Sequence, residues 1–597
     1  MANGAITRLL VANRGEIAVR VMRAARQLGI ASIAVYGAGE EQAVHVRSAT
    51  DAYRLPPVRS GGPVVPYLDI EGLIAIARQA GADAVHPGYG FLSENADFAR
   101  ACEAAGLIFV GPPADAIAAM GDKVEARRVA VAAGVPVVPG TPDPVASLDE
   151  ARTWADATGY PVAVKAAGGG GGRGFRVARA AGELERAFTE SSGEAARFFA
   201  NPAVYLERYV DQPRHVEIQV FADRHGNVVS LGERDCSVQR RHQKLIEESP
   251  SPAVGDALRR EMGEASVRLA REVGYVGAGT VEFLLDAQGR FSFLEMNTRI
   301  QVEHPVTEWV TGIDLVREQL LVAAGEPLSF AGESIVPHGH AIECRINAED
   351  PARDFAPAPG TVTTYREPGG FGVRVDAAAE PGLEILPDYD SMIAKLITWG
   401  RDRTEAVDRM AAALSEFEVG GVPTTIGLHR RIMAEVDFRG GTATTAYLPE
   451  HPAILAGDES VVQTPSEARD DPATPEHVLV EVNGRRMEVV VHGLSASVPA
   501  SGGAVGRHAA PSVSRGRKAS GGGPELVSTI QGTVVRIPVE VGQDVEAGQV
   551  GIVVSAMKME NELSLTTSGR IDAIHVAVGD AVRVGTPLIS VRAAEQG

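Results

Sequence analysis

Two hydrophobic periods alternate along the first part of the chain. Residues 6–12 (ITRLLVA) form an apolar run of strand length, Gly15 supplies a turn, and 17–28 (IAVRVMRAARQL) carry apolar positions at helical spacing. Residues 32–36 (SIAVY) return to a strand, and the alternation recurs through 70–80, 82–88 (ADAVHPG) and 107–112 (LIFVGP). Short strands alternating with helices of about a dozen residues predict a parallel sheet of the α/β class. From 115 to 205 follow a helical stretch, a strand at 161–166 (PVAVKA), a glycine run and a strand at 175–179 (FRVAR). An α+β region continues to 330; beyond it 340–346, 361–367 and 392–400 read as strands, and 404–416 and 424–434 as helices.

The pattern then changes. Residues 455–476 are rich in Asp, Glu, Ser, Thr, Pro and Ala, the composition of a solvated connector, and 478–492 predict a hairpin around Asn483-Gly484. Residues 494–524 hold Ala, Gly, Ser and Pro with few large apolar side chains, which predicts a flexible tether. The C-terminal segment repeats itself: 532–554 match 569–591 at an offset of 37, with Gly532/Gly569, Val541/Val578, Gly542/Gly579, Val545/Val582, Gly548/Gly585, Ile552/Ile589 and Val554/Val591 in register. Two such units predict a small all-β barrel with pseudo-twofold symmetry and Ser555–Glu560 as an exposed hairpin between them.

A chain of 597 residues exceeds one hydrophobic core, so several domains are expected. The net charge of −20 argues against nucleic acid or an anionic membrane as main partner. Cys102, Cys236 and Cys344 form no ligand pattern and suit a reducing compartment. No run reaches the about 20 apolar residues of a membrane span, and the first residues lack a signal-peptide pattern, so a cytoplasmic location is expected.

Candidate chemistry gathers at three places. Lys558 lies between Met557 and Met559 at the predicted hairpin, where thioethers gain nothing from water. The glycines from Gly168 to Gly172, between two strands, suit a flap whose backbone N–H groups cover phosphates, although GxxxxGK[ST] is absent. Finally, 279–286 and 290–297 read as antiparallel strands joined near Gln288-Gly289, which places Glu282 opposite Glu295. Opposed carboxylates destabilise a hairpin unless a cation is shared, and Mg²⁺ is the usual one beside phosphates. If the chain stays extended, Glu295, Asn297, Arg299, Gln301 and Glu303 project from one face. Cys236 lacks an activating pair and reads as structural, and His215, His242 and His304 lack zinc spacing.

The strings ANRGEIAVR (12–20), HPGYGFLSEN (86–95), GDKVEAR (121–127), RHVEIQV (214–220), ERDCSVQRRHQKLIEE (233–248), EMNTRIQVEHPVTE (295–308) and HAIECRINAED (340–350) resemble biotin carboxylases of the ATP-grasp superfamily. The repeat with AMKM resembles a biotinyl carrier domain; a lipoyl domain would more often show Asp-Lys-Ala. Together they look like the alpha subunit of a biotin-dependent acyl-CoA carboxylase. The departures are Ser555 where Glu is usual, Thr529-Ile530-Gln531 before Gly532, and Ala34–Gly39.

The resemblance implies an N-terminal α/β domain (1–114), an ATP-grasp domain (115–330), a C-terminal carboxylase domain (331–450), a connector and docking region (451–500), a linker (501–524) and a flattened biotinyl barrel (525–594). Lys123, Lys165, Gly171 and Gly172 would meet ATP phosphates, Glu207, Arg208, Tyr209 and Val210 the adenine, and His215, Gln239 and His242 the ribose and phosphates. Glu282, Glu295 and Asn297 would hold Mg²⁺ or Mn²⁺. Lys244, Arg299, Gln301, Val302 and Glu303 would bind bicarbonate, Arg345 the biotin ureido group, and Lys558 the covalent biotin. Glu303 would act as base, with Arg299, Lys244 and Arg345 catalytic beside it. The implied partners are a biotin protein ligase, further copies of this chain and a separate carboxyltransferase beta subunit. A two-subunit pyruvate carboxylase is the nearest alternative, and an ATP-grasp amide ligase would lack the carrier domain.

Overall fold

The computed structural model describes residues 6–57, 65–166, 174–199, 201–333, 335–455, 476–482, 485–491, 525–528, 532–556, 559–582 and 585–593. Gly171, Gly172, Lys558, the 529–531 departure, the Asn483-Gly484 turn, the expected tether at 494–524 and most of the expected connector lie outside the described residues.

Five parallel strands open the fold: β1 (Arg8–Val11), β2 (Ala31–Tyr36), β3 (Asp51–Arg54), β4 (Ala84–His86) and β5 (Ile108–Phe109), in the order β3-β2-β1-β4-β5. Helix α1 (Gly15–Gln27) links β1 to β2. Its first residue, Gly15, has φ +65°, a left-handed turn of strand into helix that a side chain would strain. Ile17, Val21 and Met22 of α1 pack beside Leu9 and Val11 of β1 in one core.

A small antiparallel sheet follows, made of β6 (Val162–Ala166), β7 (Phe175–Ala178) and β8 (Val204–Arg208) in the order β7-β6-β8. Helix α2 (Lys123–Ala132) precedes it, capped by the Asp122 carboxylate accepting from the Val124 and Glu125 amides.

The main platform is an antiparallel sheet of eight strands: β9 (Arg214–Ala222), β10 (Val228–Arg240), β11 (Gln243–Ser249), β12 (Gly277–Leu285), β13 (Phe291–Asn297), β14 (His340–Asn347), β15 (Val373–Ala377) and β16 (Met392–Gly400). Its order is β13-β12-β9-β10-β11-β14-β16-β15. The sheet runs unbroken across residue 331, because β11 pairs directly with β14. Val216, Ile218 and Val220 of β9 and Val281 and Phe283 of β12 share a core with Met262, Leu269 and Ala126. The period of two then sends His215, Glu217 and Gln219 to the opposite face. The expected strand at 361–367 is instead two short ones, Gly360–Thr361 and Thr364–Arg366, in different two-stranded sheets.

The C-terminal unit is all β. Its sheets run Glu525–Val527, Pro587–Ala593, Gly569–Ile574, Asp544–Val545 and Met559–Ser564, Val550–Ala556, Gly532–Arg536, Ala581–Val582. Each strand of one sheet has its counterpart 37 residues away in the other, as the repeat predicts. Val534, Val545, Ile552 and Val554 pack in one core with Ile571, Val582, Ile589 and Val591.

Candidate active site

A row of carboxylates crosses the platform. Glu217 of β9 opposes Glu282 of β12, which opposes Glu295 of β13. On the other side of Glu217 the register partner is Arg234 of β10. Like charges in a row are unfavourable, so cations must be interleaved. Lys244 Nζ supplies one: it lies 2.6 Å from Glu217 Oε2, 2.9 Å from Glu282 Oε1 and 2.7 Å from Glu303 Oε1. Arg234 is fully buried and donates to Glu217 (2.6 Å), Gln219 (2.7 Å), Thr307 (2.9 Å) and Thr280 (3.1 Å).

These contacts set the charges. Burial alone would neutralise Lys244, yet Glu217, Glu282 and Glu303 push it well above its usual range. Glu303 is correspondingly held well below the carboxylate range against burial, by Lys244, Arg345 and Arg234. His215 Nε2 approaches Glu282 Oε2 at 3.0 Å, and that carboxylate raises the imidazole against burial. Glu295 is different: burial and the neighbouring charge of Glu282 both push it up. Asn297 Nδ2 donates to Glu282 Oε1 at 2.8 Å. Glu282, Glu295 and Asn297 thus present hard oxygen donors around a carboxylate pair whose mutual repulsion a divalent cation would relieve. The donor set fits Mg²⁺ or Mn²⁺.

Strand β13 stops at Asn297, so the expected extended series does not continue as a strand. Glu94 of the first domain breaks it, accepting from Thr298 N (3.0 Å) and Arg299 Nε (2.9 Å). The side chains still converge. Arg299 donates to Gln301 Oε1 (2.8 Å) and Asn297 Oδ1 (2.9 Å), and Gln301 Nε2 donates to Glu282 Oε1 (3.1 Å). Glu303 stands at the N-terminus of helix α3 (His304–Thr311). Arg345 of β14 donates from Nη2 to Glu303 Oε2 (3.0 Å) and from Nε to Glu247 Oε1 (2.6 Å). Cys236 is buried, its thiol pushed well above the ordinary range by burial and by Glu217, which leaves it unreactive as expected.

The groups expected around ATP come from several elements: Lys123 opens α2, Lys165 lies on β6, Glu207 and Arg208 on β8, His215 on β9 and Gln239 on β10. Gln239 and Lys244 are register partners in the hairpin of β10 and β11. Its turn residues, Arg241 and His242, have φ of +46° and +71°, a left-handed pair without glycine. His242 is held below its ordinary value by enclosure and by the charges of His215, Lys123 and Lys165. Lys165 of β6 pairs with Glu207 of β8, which also takes Arg127 Nη1 at 3.2 Å. Beyond Glu207, the Arg208 and Tyr209 amides donate to the carbonyls of Pro139 (2.8 Å) and Pro161 (2.9 Å), which fixes the approach to Val210.

Profiles of known families match nearly the whole chain: the biotin carboxylase N-terminal domain over 5–117, the ATP-binding domain of the carbamoyl-phosphate synthase L chain over 122–331, the biotin carboxylase C-terminal domain over 343–450, and the biotin-requiring enzyme domain over 523–591. The chain belongs to the biotin carboxylases. It is similar to the biotin-dependent acyl-coenzyme A carboxylase alpha3 subunit of Mycobacterium leprae, 44% identical over 601 residues with 99% of each chain covered. Biotin carboxylase 1 of Bacillus subtilis is 53% identical over 444 residues, covering 74% of this chain and 98% of the relative. A pyruvate carboxylase subunit of Methanothermobacter thermautotrophicus is also 53% identical, over 445 residues, 74% of this chain and 90% of that one. Among solved structures, the biotin carboxylase domain dimer of Hydrogenobacter thermophilus 2-oxoglutarate carboxylase, in complex with MgADP, ADP and bicarbonate, superposes with a TM-score of 0.72. It is 49% identical and covers 76% of this chain and 100% of its own. This biotin carboxylase is a ligase carrying its own biotin-type domain.

Several site residues escaped the sequence reading: Glu94, Glu217, Arg234, Glu247 and Lys395. Glu217 had a legible signal, since it shares the period-two face of β9 with His215 and Gln219.

Proposed function

We propose that this carboxylase transfers bicarbonate-derived carboxyl groups to biotin held on Lys558, and that a separate carboxyltransferase then carboxylates an acyl-CoA for lipid synthesis. The observation that carries the first half is the Lys244 cluster, where one ammonium joins Glu217, Glu282 and Glu303 beside Arg345. The full-length likeness to an acyl-CoA carboxylase alpha subunit supports the second. The 53% identity to a pyruvate carboxylase subunit over 445 residues keeps that reading as the alternative, to be separated by the partner alone.

The residues divide the work. Lys123, Lys165, His215, Gln239 and His242 hold ATP, with Gly171 and Gly172 over its phosphates and Glu207–Val210 at the adenine. Arg299, Gln301, Val302 and Lys244 hold bicarbonate, and Glu303 removes its proton as an oxygen attacks the γ-phosphate to give carboxyphosphate and ADP. Lys244 and Arg345 keep Glu303 ionised, the state a base requires. An incoming anion shares those cations, which makes Glu303 more basic as the substrate arrives. Glu282, Glu295 and Asn297 would hold Mg²⁺ or Mn²⁺, which would offset phosphate charge when bound. Carboxyphosphate breaks at its C–O bond into CO₂ and phosphate, phosphate takes the ureido N–H proton, and the freed ureido nitrogen of biotin would accept the CO₂ carbon. Arg345, with Arg299, stabilises the ureido oxygen.

The three cysteines are free and buried, which suits the cytoplasmic location that belongs to this reading. Among the described residues no helix is long and apolar enough to cross a membrane. Assembly with further copies of the chain is part of the same proposal. Phe371, 81% exposed, packs against Trp399, which stacks on Trp309 and forms an aromatic surface. The test is ATP cleavage by biotin-loaded protein with and without bicarbonate, alongside intact mass. Bicarbonate-dependent cleavage and a biotin mass increment lost in Lys558→Ala are expected; absence of both with ligase and partner supplied refutes the reading.

A further inference from the structure

Residues 301–303 run between Arg299 and helix α3 as irregular backbone, yet the carbonyls of Gln301 and Val302 are both held. The Gln301 carbonyl accepts from His304 Nδ1 at 2.7 Å and from the His304 amide at 3.4 Å. A carbonyl can only accept, so Nδ1 carries the proton and the ring is the Nδ1–H tautomer. Its other nitrogen, buried without a hydrogen-bond partner, is bare. The next carbonyl, of Val302, accepts from Lys395 Nζ at 2.9 Å.

Lys395 comes from β16 and is fully buried. Its ammonium is fixed from two further directions, by Glu16 Oε1 of α1 at 3.2 Å and by Asp376 Oδ2 of β15 at 4.0 Å. Burying an ammonium in a strand of MIAKLITWG is expensive, and the partners compensate the charge without explaining why it reaches the Val302 carbonyl.

The geometry of the peptide group supplies an explanation. Neither the 301–302 nor the 302–303 bond is cis, and in a trans peptide the C=O and the following N–H point in opposite directions. Holding the Gln301 carbonyl towards His304 therefore turns the Val302 N–H away from it. Holding the Val302 carbonyl towards Lys395 does the same for the Glu303 N–H. Both amides lie at the start of α3, where backbone N–H groups and the helix dipole favour an anion.

We propose that His304 and Lys395 are positioning residues that grip consecutive carbonyls from behind and so aim the Val302 and Glu303 amides at the bicarbonate anion. The inference rests on the bicarbonate reading above and extends it to two residues that touch no substrate. His304 contributes through orientation alone, since it is neutral; Lys395 adds a charge.

The experiment measures bicarbonate-dependent ATP cleavage by the full-length, biotin-loaded protein. His304→Leu and Lys395→Met are expected to raise the KM for bicarbonate about tenfold, the factor one such hydrogen bond carries, and to leave the KM for ATP within about twofold. His304→Asn, whose amide can donate from nearly the same position, and Lys395→Arg are expected to restore it. Should Lys395→Met fail to fold, the His304 pair decides, because it changes no charge. An unchanged bicarbonate KM in folded His304→Leu, or equal rises in both KM values, overturns the inference alone. Wild-type protein whose ATP cleavage ignores bicarbonate overturns the functional reading and this inference with it.

Discussion

Lys244→Met tests the energetic centre of the site. The substitution keeps the length of the side chain and removes a charge lying 2.6, 2.9 and 2.7 Å from three buried carboxylates. At an effective dielectric of about 20 each contact is worth about 6 kcal/mol of attraction. Most of that total is cancelled by desolvation of the ammonium and by repulsion among Glu217, Glu282 and Glu303. Removing one partner of a buried ionic cluster destabilises by about 3–5 kcal/mol, because the remaining charges lose their compensation. The loss should depend on pH in a defined direction. In the wild type Glu282 and Glu303 are depressed, so their contribution is present above the ordinary carboxylate value and disappears as pH falls through the lowered values. In the variant burial dominates and raises them, so the folded state recovers as pH falls toward the ordinary value. Urea unfolding of both proteins at pH 8 and pH 5 gives the comparison. A difference of about 3 kcal/mol or more at pH 8 that shrinks at pH 5 is expected. A difference below about 1 kcal/mol, or one independent of pH, would refute the assignment of Lys244 as the charge that holds the row together.

Glu303→Gln should lower bicarbonate-dependent ATP cleavage by about 10²–10⁴-fold, the usual worth of a general base, and full activity would remove Glu303 from that role. Glu248 is pulled down to about 2 against burial by His340 and Arg403, so Glu248→Gln should cost about 3 kcal/mol at pH 7. That cost should fade as pH drops from about 4.5 towards 2, which thermal unfolding across pH would show. Arg241→Asn should raise stability by up to about 1 kcal/mol, because Asn tolerates the left-handed φ of +46° better than Arg, and a loss of stability would show that the Arg241–Asp354 contact matters more.

The parts legible in the sequence were those set by local rules. The opposition of Glu282 and Glu295 was expected from a short turn. That turn, in which Gly289 takes φ +76° and the Asp286 side chain ties down the amides of Gln288 and Arg290, sets Phe283 opposite Phe293. A bulge between Phe283 and Glu282 then brings Glu282 opposite Glu295. The repeat offset likewise foretold two equivalent β units, whose counterpart strands lie in opposite sheets. What escaped depended on distant partners. Glu94 ends the extended run after Asn297 from some two hundred residues away in the chain. Arg234 and Lys395 sit in strands that look apolar or mixed, and only the fold brings Glu217, Glu16 and Asp376 to them. A lone Lys in MIAKLITWG carries no sign of a carbonyl waiting in another domain.

The symmetry of the C-terminal unit has a practical side. Ala556 pairs with Met559 at the end of one hairpin, and Met557 and Lys558 fall between them in sequence. The counterpart of Ala556 in the other repeat is Ala593, and the strand ending there begins with Pro587, beside Val527, at the opposite extreme. Seven residues of strand span about 23 Å. A fluorophore or purification tag attached after Ala593 therefore rides on the far side of the unit from the lysine-bearing hairpin. It can report the unit's tumbling and travel without crowding the ligase that must reach that lysine.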